Sequence, residues 1–257
     1  MMSKEGIDYG KIGYESLAAF VAAIQEIVRE GTHFDAIVAA GDSGQLAAYI
    51  TEEVYRALGV KSPAKLVAPI QRHLDEEETV RYDNRGLVGQ LEAWRGKKLA
   101  SILFVDDEIG GANALMGLLD LLGALGAGIA RCTVVAEDGG FECPRVMRGV
   151  QMSFRATKQR EEGVYNAISY SVPWELQKPV EEALMDEGEL SDKQVMCVLL
   201  GLPNREWQDG QMKFTTRLLE KVRARMANLE LLQGQASAWL EKIVSNHNFQ
   251  AGQQGSS

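Results

Sequence analysis

One strand–loop–helix stretch in the middle of the chain constrains the fold more than any other feature. The mostly apolar run Leu99–Val105 has the length, and lacks the polar alternation, that are typical of a buried parallel strand. Asp106 and Asp107 follow where this strand should end, and the small-residue loop Gly110–Ala114 leads into a helical run, Leu115–Leu125. Because free N–H groups and the helix dipole favour negative charge at a helix N-terminus, this arrangement predicts an anion site.

The paired acids beside that loop have two interpretations. Carboxylates at such a position can order the hydroxyls of a ribose, or hold a Mg²⁺ ion that accompanies phosphate. The alternative is an ordinary α/β strand whose tip is polar. The two adjacent glycines, Gly110 and Gly111, favour the functional interpretation, because they let the backbone approach a ligand closely.

A second unit of the same kind precedes the first. The strand Phe34–Ala40 leads into the turn Gly41–Gly44 and the helix Gln45–Leu58. Such alternation predicts an α/β fold, with a mainly parallel sheet and helices on both faces. The other elements that the sequence predicts for this domain are the helix Glu15–Arg29 and the strands Lys65–Ile70, Ile129–Ala136 and Gly163–Val172.

The segment Asp75–Arg95 is charged, rich in turn residues and poor in apolar periodicity. Long connections of this kind in α/β folds are often lids, so Arg81 and Arg85 are candidate cations for a bound anion. Arg72 and Lys98 are further cations nearby in sequence. The alternative is a solvated or partly strand-forming excursion.

After Trp174 the pattern is helical, and no strand is predicted. We expect residues 1–173 to form the α/β domain, and residues 174–257 to form an all-helical extension whose tail is disordered from about residue 246. An apolar stripe marks the last helical run, and packing onto the chain's own domain explains it better than a coiled coil. The predicted helices of the extension are Glu175–Met185, Asp192–Leu200 and Met212–Val244, the last as one helix or two.

Charge and cysteine usage limit the partners and the location. The formal net charge of -9 disfavours binding to nucleic acid or to an anionic membrane. The three cysteines form no C-x-x-C pair, and the N-terminus lacks the apolar core of a signal peptide. We therefore expect a cytoplasmic protein with a small-molecule partner. A homodimer is compatible with the sequence, which does not fix the oligomeric state.

Three segments together resemble the type I phosphoribosyltransferases, over roughly Glu15–Val172. F-D-A-I-V-A-A-G-D-S-G-Q-L-A-A (residues 34–48) resembles the family's first strand and pyrophosphate loop, and G-L-V-G-Q-L-E-A-W-R-G-K-K (86–98) resembles the segment after its lid. I-L-F-V-D-D-E-I-G-G-A-N-A-L (102–115) lies over the family's phosphoribosyl pyrophosphate motif, V-D-D-x-x-T-T-G-x-T.

The resemblance implies a role for each matched position. Asp106 and Asp107 would be the catalytic acids that hold the ribose hydroxyls, directly or through Mg²⁺. The residues that would bind the phosphates are Gly41, Asp42, Ser43 and Gly44 in the first loop, Gly110, Gly111, Ala112, Asn113 and Ala114 in the second, and Arg81 and Arg85 in the lid.

The phosphate loops depart from the family pattern. Gly110 and Gly111 replace two threonines, Ala112 replaces glycine and Ala114 replaces threonine. Since the threonine hydroxyls help to bind the 5′-phosphate, each loss should cost roughly 1.5–3 kcal/mol. The first loop has no Arg or Lys, and its Asp42 would repel pyrophosphate unless a cation intervenes.

Two functions therefore stay open. One is a phosphoribosyltransferase-like protein that binds phosphoribosyl pyrophosphate or a related nucleotide with Mg²⁺ and transfers phosphoribose to a nitrogenous base. The other is a non-catalytic ligand sensor or assembly subunit of the same fold. The run I-L-F-V-D-D-E also resembles the opening of a response-regulator receiver domain, but no apolar strand ending in Asp follows at a suitable distance.

Overall fold

The computed structural model describes residues 8–74, 80–83, 91–159, 164, 167–185, 190–208 and 211–246. The strands, in chain order, are β1 Ala36–Ala40, β2 Ala64–Ala68, β3 Gln71–Leu74, β4 Val80–Asp83, β5 Lys98–Ile109, β6 Gly128–Asp138, β7 Val146–Met147, β8 Val150–Gln159, β9 Asn204–Gln208 and β10 Gln211–Thr215. The helices are α1 Tyr9–Arg29, α2 Gly41–Ala57, α3 Asn113–Ala124, α4 Trp174–Ala183, α5 Asp192–Leu199, α6 Arg217–Arg225 and α7 Leu229–Val244.

Six strands form the central sheet, in the order β2-β1-β5-β6-β8-β7. All neighbouring strands pair in parallel except the short β7, which runs antiparallel to β8. This confirms the predicted α/β class and the mainly parallel sheet. Because the strands are parallel, the loops that follow β1 and β5 leave the sheet at the same edge.

Helices cover both faces of the sheet. Successive side chains of β5 point to opposite faces, and the apolar ones on each face pack against helices. Leu103 and Val105 point to one face and pack in a cluster with residues of α1 and α2. Ile102 and Phe104 point to the other face and pack with Leu115 and other residues of α3. Both faces of β5 are fully buried from Ile102 to Val105, which explains why this part of its sequence is continuously apolar.

The chain after Trp174 packs on the face that α1 and α2 cover. Val180 of α4, Met196 of α5 and Leu232 of α7 belong to the same buried cluster as the residues of α1 and α2. The apolar stripe of the last helices is therefore satisfied within this chain. The extension also contains the antiparallel hairpin β9–β10, which the sequence did not predict.

Two other predicted elements differ from the structure, the first entirely and the second only at its start. The predicted last strand, Gly163–Val172, contains instead a 3-10 helix at Ala167–Tyr170, and β8 is the last parallel strand of the sheet. The 3-10 segment packs against α1 at Gly13, where an added Cβ would lie 2.5 Å from the backbone N of Ser171. The predicted run Met212–Val244 begins in β10 and then divides into α6 and α7.

Candidate functional site

The acid pair lies in a β-bulge near the end of β5. Val105 pairs with Val135 of β6 and Glu108 pairs with Glu137, so three steps along β5 match two along β6. A bulge re-aims the side chains it carries. Asp106 and Asp107 both line a cavity at the carboxyl edge of the sheet, and they are 8% and 2% exposed. Carboxylates at the end of a strand are expected to be solvent-accessible, but these two are almost fully buried.

Burial governs the electrostatics of this pair. The pKa of Asp106 is raised well above its usual range, first by burial and then by the charge of Asp107, against a hydrogen bond from Ser43. Burial also raises the pKa of Asp107, and the ammonium of Lys193 opposes that rise. Lys193 Nζ lies 4.0 Å from Asp107 Oδ2, which accepts no hydrogen bond from the described residues. The site therefore holds two buried acids whose ionisation a cation would favour.

The second glycine loop presents an uncapped helix N-terminus to the cavity. Ala112 precedes α3 with φ 51° and ψ 17°, in the left-handed region, and no side chain caps the helix. The first N–H groups of α3 have no acceptor within the helix. An added Cβ at Gly111 would lie 3.3 Å from Asn113 Nδ2, so the Asn113 amide folds back over the loop. Both features favour an anion at this loop.

The first glycine loop forms the start of α2 rather than a separate turn. Gly41 has φ 71°, and the helix continues from it through the predicted turn residues. Asp42 is engaged by the C-terminal extension: Arg205 donates its backbone N–H to Asp42 Oδ1 at 2.9 Å, and its Nε lies 3.4 Å from Oδ2. Arg205 Nη1 also donates to the carbonyl of Ile70. The carboxylate that was expected to repel an anion is thus paired.

One cavity of about 530 Å³ is lined by the acid pair, by all of Gly110–Ala114 and by the first loop except Gly44, which packs against Ala39 instead. The mainly parallel sheet that the sequence predicts brings these segments to the same edge, and their binding roles stay predictions. Two cations that also line the cavity were missed, Lys193 of α5 and Arg205 of β9. The Ser191–Gln194 capping box could have placed Lys193 in the first turn of a helix. No local sequence pattern could have predicted the contact between Arg205 and Asp42, because the two residues are 163 positions apart.

The role of the predicted lid cations at the cavity stays a prediction. Arg72 and Arg81 lie on β3 and β4, which form an antiparallel hairpin apart from the main sheet, and Arg85 falls outside the described residues. Lys98 begins β5 at the amino end, eight residues before Asp106. At about 3.3 Å per residue it lies roughly 25 Å from the acids, so it was wrongly considered as a cation for this site.

Within the described ranges, no three His, Cys, Asp or Glu side chains are grouped closely enough to hold a metal ion by themselves. Across those ranges, too, no helix combines the length and the apolar character needed to span a bilayer.

No protein-family model matches the sequence, and no curated protein matches it. Solved structures similar to the chain include a hypothetical protein from Neisseria gonorrhoeae with bound ppGpp, at 15% identity, with 61% of this chain and 90% of that chain covered and a TM-score of 0.35. A purine phosphoribosyltransferase from Pyrococcus horikoshii Ot3 is similar at 13% identity, 58% and 92% coverage and a TM-score of 0.33. An orotate phosphoribosyltransferase from Aeropyrum pernix is similar at 12% identity, 55% and 69% coverage and a TM-score of 0.33. The last two belong to the family that the sequence motifs resemble.

Proposed function

We propose that the cavity binds phosphoribosyl pyrophosphate, or a related ribose phosphate or nucleotide, together with Mg²⁺. The observation that carries this proposal is the meeting of two strand–glycine-loop–helix units around one cavity, with the acid pair between them. Its volume of about 530 Å³ suits a small phosphorylated ligand. The surface as a whole is acidic, so the phosphates depend on these local groups.

The second loop is the proposed site of the 5′-phosphate. The uncapped N–H groups at the start of α3 point to the cavity edge that Gly110–Ala114 form. A phosphate there would accept hydrogen bonds from these groups and gain from the helix dipole. Asn113 supplies the one amide side chain of this loop and can add a donor.

The acid pair is the proposed site of the ribose hydroxyls and of Mg²⁺. Carboxylate oxygens suit this ion, and Mg²⁺ usually takes only one or two protein carboxylates plus the phosphates of its ligand. Two adjacent carboxylates, one with an oxygen that accepts no hydrogen bond from the described residues, fit this requirement without a third protein ligand. Bound Mg²⁺ would neutralise charge on the pyrophosphate.

In the proposed reaction, a nitrogen atom of the base forms a bond to the anomeric carbon of the ribose. The bond between that carbon and the pyrophosphate oxygen breaks, and pyrophosphate leaves. The positive charge that develops on the ribose is stabilised by Asp106 and Asp107. The two loops hold the phosphates at either end of the ribose and thereby orient the anomeric carbon. No protein nucleophile is required, because the base itself supplies the attacking electron pair.

A ligand sensor of the same fold is the second candidate. The observation that favours it is the second loop, in which no side chain between Gly110 and Ala114 carries a hydroxyl. A phosphate held by backbone groups alone is bound with fewer constraints on its position, and misplacement of about 1 Å can cost about a hundredfold in rate. The absence of hydroxyl side chains from this loop would therefore reduce the rate of transfer more than it reduces ligand binding.

Isothermal titration calorimetry with Mg²⁺ tests the proposal. The titrants are phosphoribosyl pyrophosphate, ribose 5-phosphate, inorganic pyrophosphate and ppGpp, the ligand in the Neisseria gonorrhoeae structure. We expect phosphoribosyl pyrophosphate to bind more tightly than either of its parts. Pyrophosphate release in the presence of a panel of nucleobases then separates transferase from sensor. Failure of all four titrants to bind would refute both candidates.

A further inference from the structure

The segment Pro203–Arg205 of the C-terminal extension makes polar contacts with the first loop and with Gln45, the residue that follows it. Gln45 of α2 donates its side-chain amide to the carbonyl of Pro203. Two residues on, Arg205 donates its backbone N–H to Asp42 Oδ1 at 2.9 Å, places Nε 3.4 Å from Oδ2 and donates Nη1 to the Ile70 carbonyl. An extension that merely covered the sheet would not need these convergent polar contacts.

The Arg205–Asp42 pair is shielded from solvent. The Asp42 side chain is 10% exposed and that of Arg205 is 29% exposed, so the pair is screened less than a surface ion pair. An added Cβ at Gly41 would lie 3.5 Å from Arg205 Nη1, so the guanidinium sits directly over the loop backbone. Arg205 therefore neutralises the loop at the point where an anion would approach.

We propose that Arg205 is a positioning residue of the first loop, which holds and neutralises Asp42 so that the loop can accept the pyrophosphate group of the ligand. This inference rests on the proposed function and extends it, because a residue of the C-terminal extension completes the anion site. The first loop contains no Arg or Lys of its own, so its cation comes from β9.

Calorimetric titration of the full chain with Mg²⁺ and inorganic pyrophosphate tests this role. Arg205→Gln should weaken binding at least ~tenfold, since an uncompensated carboxylate would face the anion. Asp42→Asn in the Arg205→Gln background should restore the affinity to within about threefold of the unaltered protein, because the loop is again neutral. The matched control is Arg223→Gln, an equal loss of charge at an exposed position of α6, which should change the affinity less than about twofold.

Each outcome decides between a positioning role and its alternatives. If Arg205→Gln binds as the unaltered protein does, or if Asp42→Asn fails to rescue it, the inference is overturned. Should Arg205→Gln not fold, as judged from its melting curve, Arg205→Lys replaces it; affinity within about threefold supports the neutralising role, and a larger loss contradicts it.

The same titrations separate this inference from the proposed function. Binding of pyrophosphate without binding of phosphoribosyl pyrophosphate would refute the proposed function and leave the role of Arg205 standing. Binding of phosphoribosyl pyrophosphate that Arg205→Gln does not weaken would do the reverse. A chain that binds neither compound refutes both.

Discussion

The two glycine loops have the same place in the fold and are held in different ways. The first loop starts α2, and two residues of the extension hold it: Arg205 pairs with Asp42, and the Pro203 carbonyl accepts a hydrogen bond from the Gln45 side chain. The second loop starts α3 without a side-chain cap, and its entry residue, Ala112, has φ 51°. One loop is completed by contacts from far along the chain, and the other begins its helix with no side-chain cap from the described residues.

This difference indicates that the two loops contribute to binding in different ways. A loop whose carboxylate is already paired is preorganised, so that little binding free energy is lost in ordering it. A loop with strained backbone and unsatisfied N–H groups gains most when a ligand arrives. The changes below test this division, from the largest expected effect to the smallest.

The acid pair between the loops should have the largest effect. Asp106→Asn with Asp107→Asn should weaken Mg²⁺-dependent binding of phosphoribosyl pyrophosphate at least ~100-fold, because the carboxylates are the proposed contacts of the ribose and the metal. The same change should raise the melting temperature at pH 7. Burial raises the pKa of both acids, so the native state binds protons more tightly than the unfolded chain, and ionisation of the pair destabilises the fold.

Asp120→Asn is the matched control for the acid pair. Asp120 lies on the exposed side of α3, where it pairs with Arg148 at 2.8 Å. Its removal should leave ligand binding unchanged and alter stability by less than about 1 kcal/mol. A lower melting temperature with unchanged ligand binding in the double variant would assign the acids a structural role instead.

Restoring the family pattern in the second loop should have the next largest effect. Gly110→Thr, Gly111→Thr, Ala112→Gly and Ala114→Thr together should tighten binding of phosphoribosyl pyrophosphate by about tenfold to a hundredfold, measured by calorimetry, because hydroxyls then reach the 5′-phosphate. The loop can accept the first two: an added Cβ at Gly110 lies 3.4 Å from the Gly139 carbonyl, and the one at Gly111 meets the movable end of Asn113.

A valine version of the same loop provides the control. Valine has the shape of threonine without its hydroxyl, so Gly110→Val, Gly111→Val, Ala112→Gly and Ala114→Val should bind no more tightly than the unaltered protein. If the valine loop gains as much affinity as the threonine loop, shape and not hydrogen bonding limits the present loop.

A buried acid away from the cavity lining should report on the electrostatics of the sheet edge. Burial, together with the nearby Glu108 and Asp107, raises the pKa of Glu137 to about 7, although Lys158 opposes this. The native state therefore binds a proton that the unfolded state releases near pH 4.3, and stability falls as pH rises from about 4.3 to 7. Glu137→Gln should remove this slope and stabilise the fold above pH 7 by on the order of 1–3 kcal/mol.

Denaturant unfolding at several pH values measures the effect of Glu137. The control is Glu142→Gln, because Glu142 is exposed in the following loop and its neutralisation should leave the pH profile unchanged. A steeper loss of stability with pH in Glu137→Gln than in the unaltered protein would contradict the assignment.

Local patterns were enough to predict the architecture of the sheet edge. Apolar runs followed by glycines were enough to predict that each loop connects a strand to a helix and that the acid pair lies at a strand end. This was possible because each strand–loop–helix unit is encoded within about 25 consecutive residues. β8 was missed although residues 150–157, V-Q-M-S-F-R-A-T, alternate apolar and polar side chains, which is the pattern of a strand with one buried face. Lys193 and Arg205 were missed because their positions depend on tertiary contacts, which no local spacing encodes.

The smallest predicted effect is also the most direct test of the loop comparison. Each loop has one residue with positive φ at the start of its helix, Gly41 at 71° and Ala112 at 51°. Glycine adopts this conformation freely, whereas an L side chain pays about 1–2 kcal/mol. Gly41→Ala should therefore destabilise the fold by about that amount, since the added Cβ meets only ordinary contacts beyond 3.4 Å. Ala112→Gly should stabilise it by up to ~1 kcal/mol, because the greater entropy of glycine in the unfolded chain offsets part of the backbone strain that is relieved.

Chemical denaturation measures the free energy of unfolding of both variants. Ala114→Gly, within α3, provides the control with a loss of up to ~1 kcal/mol. Equal losses for Ala112→Gly and Ala114→Gly would show that Ala112 carries no strain, and the contrast between a completed loop and a strained one would fail.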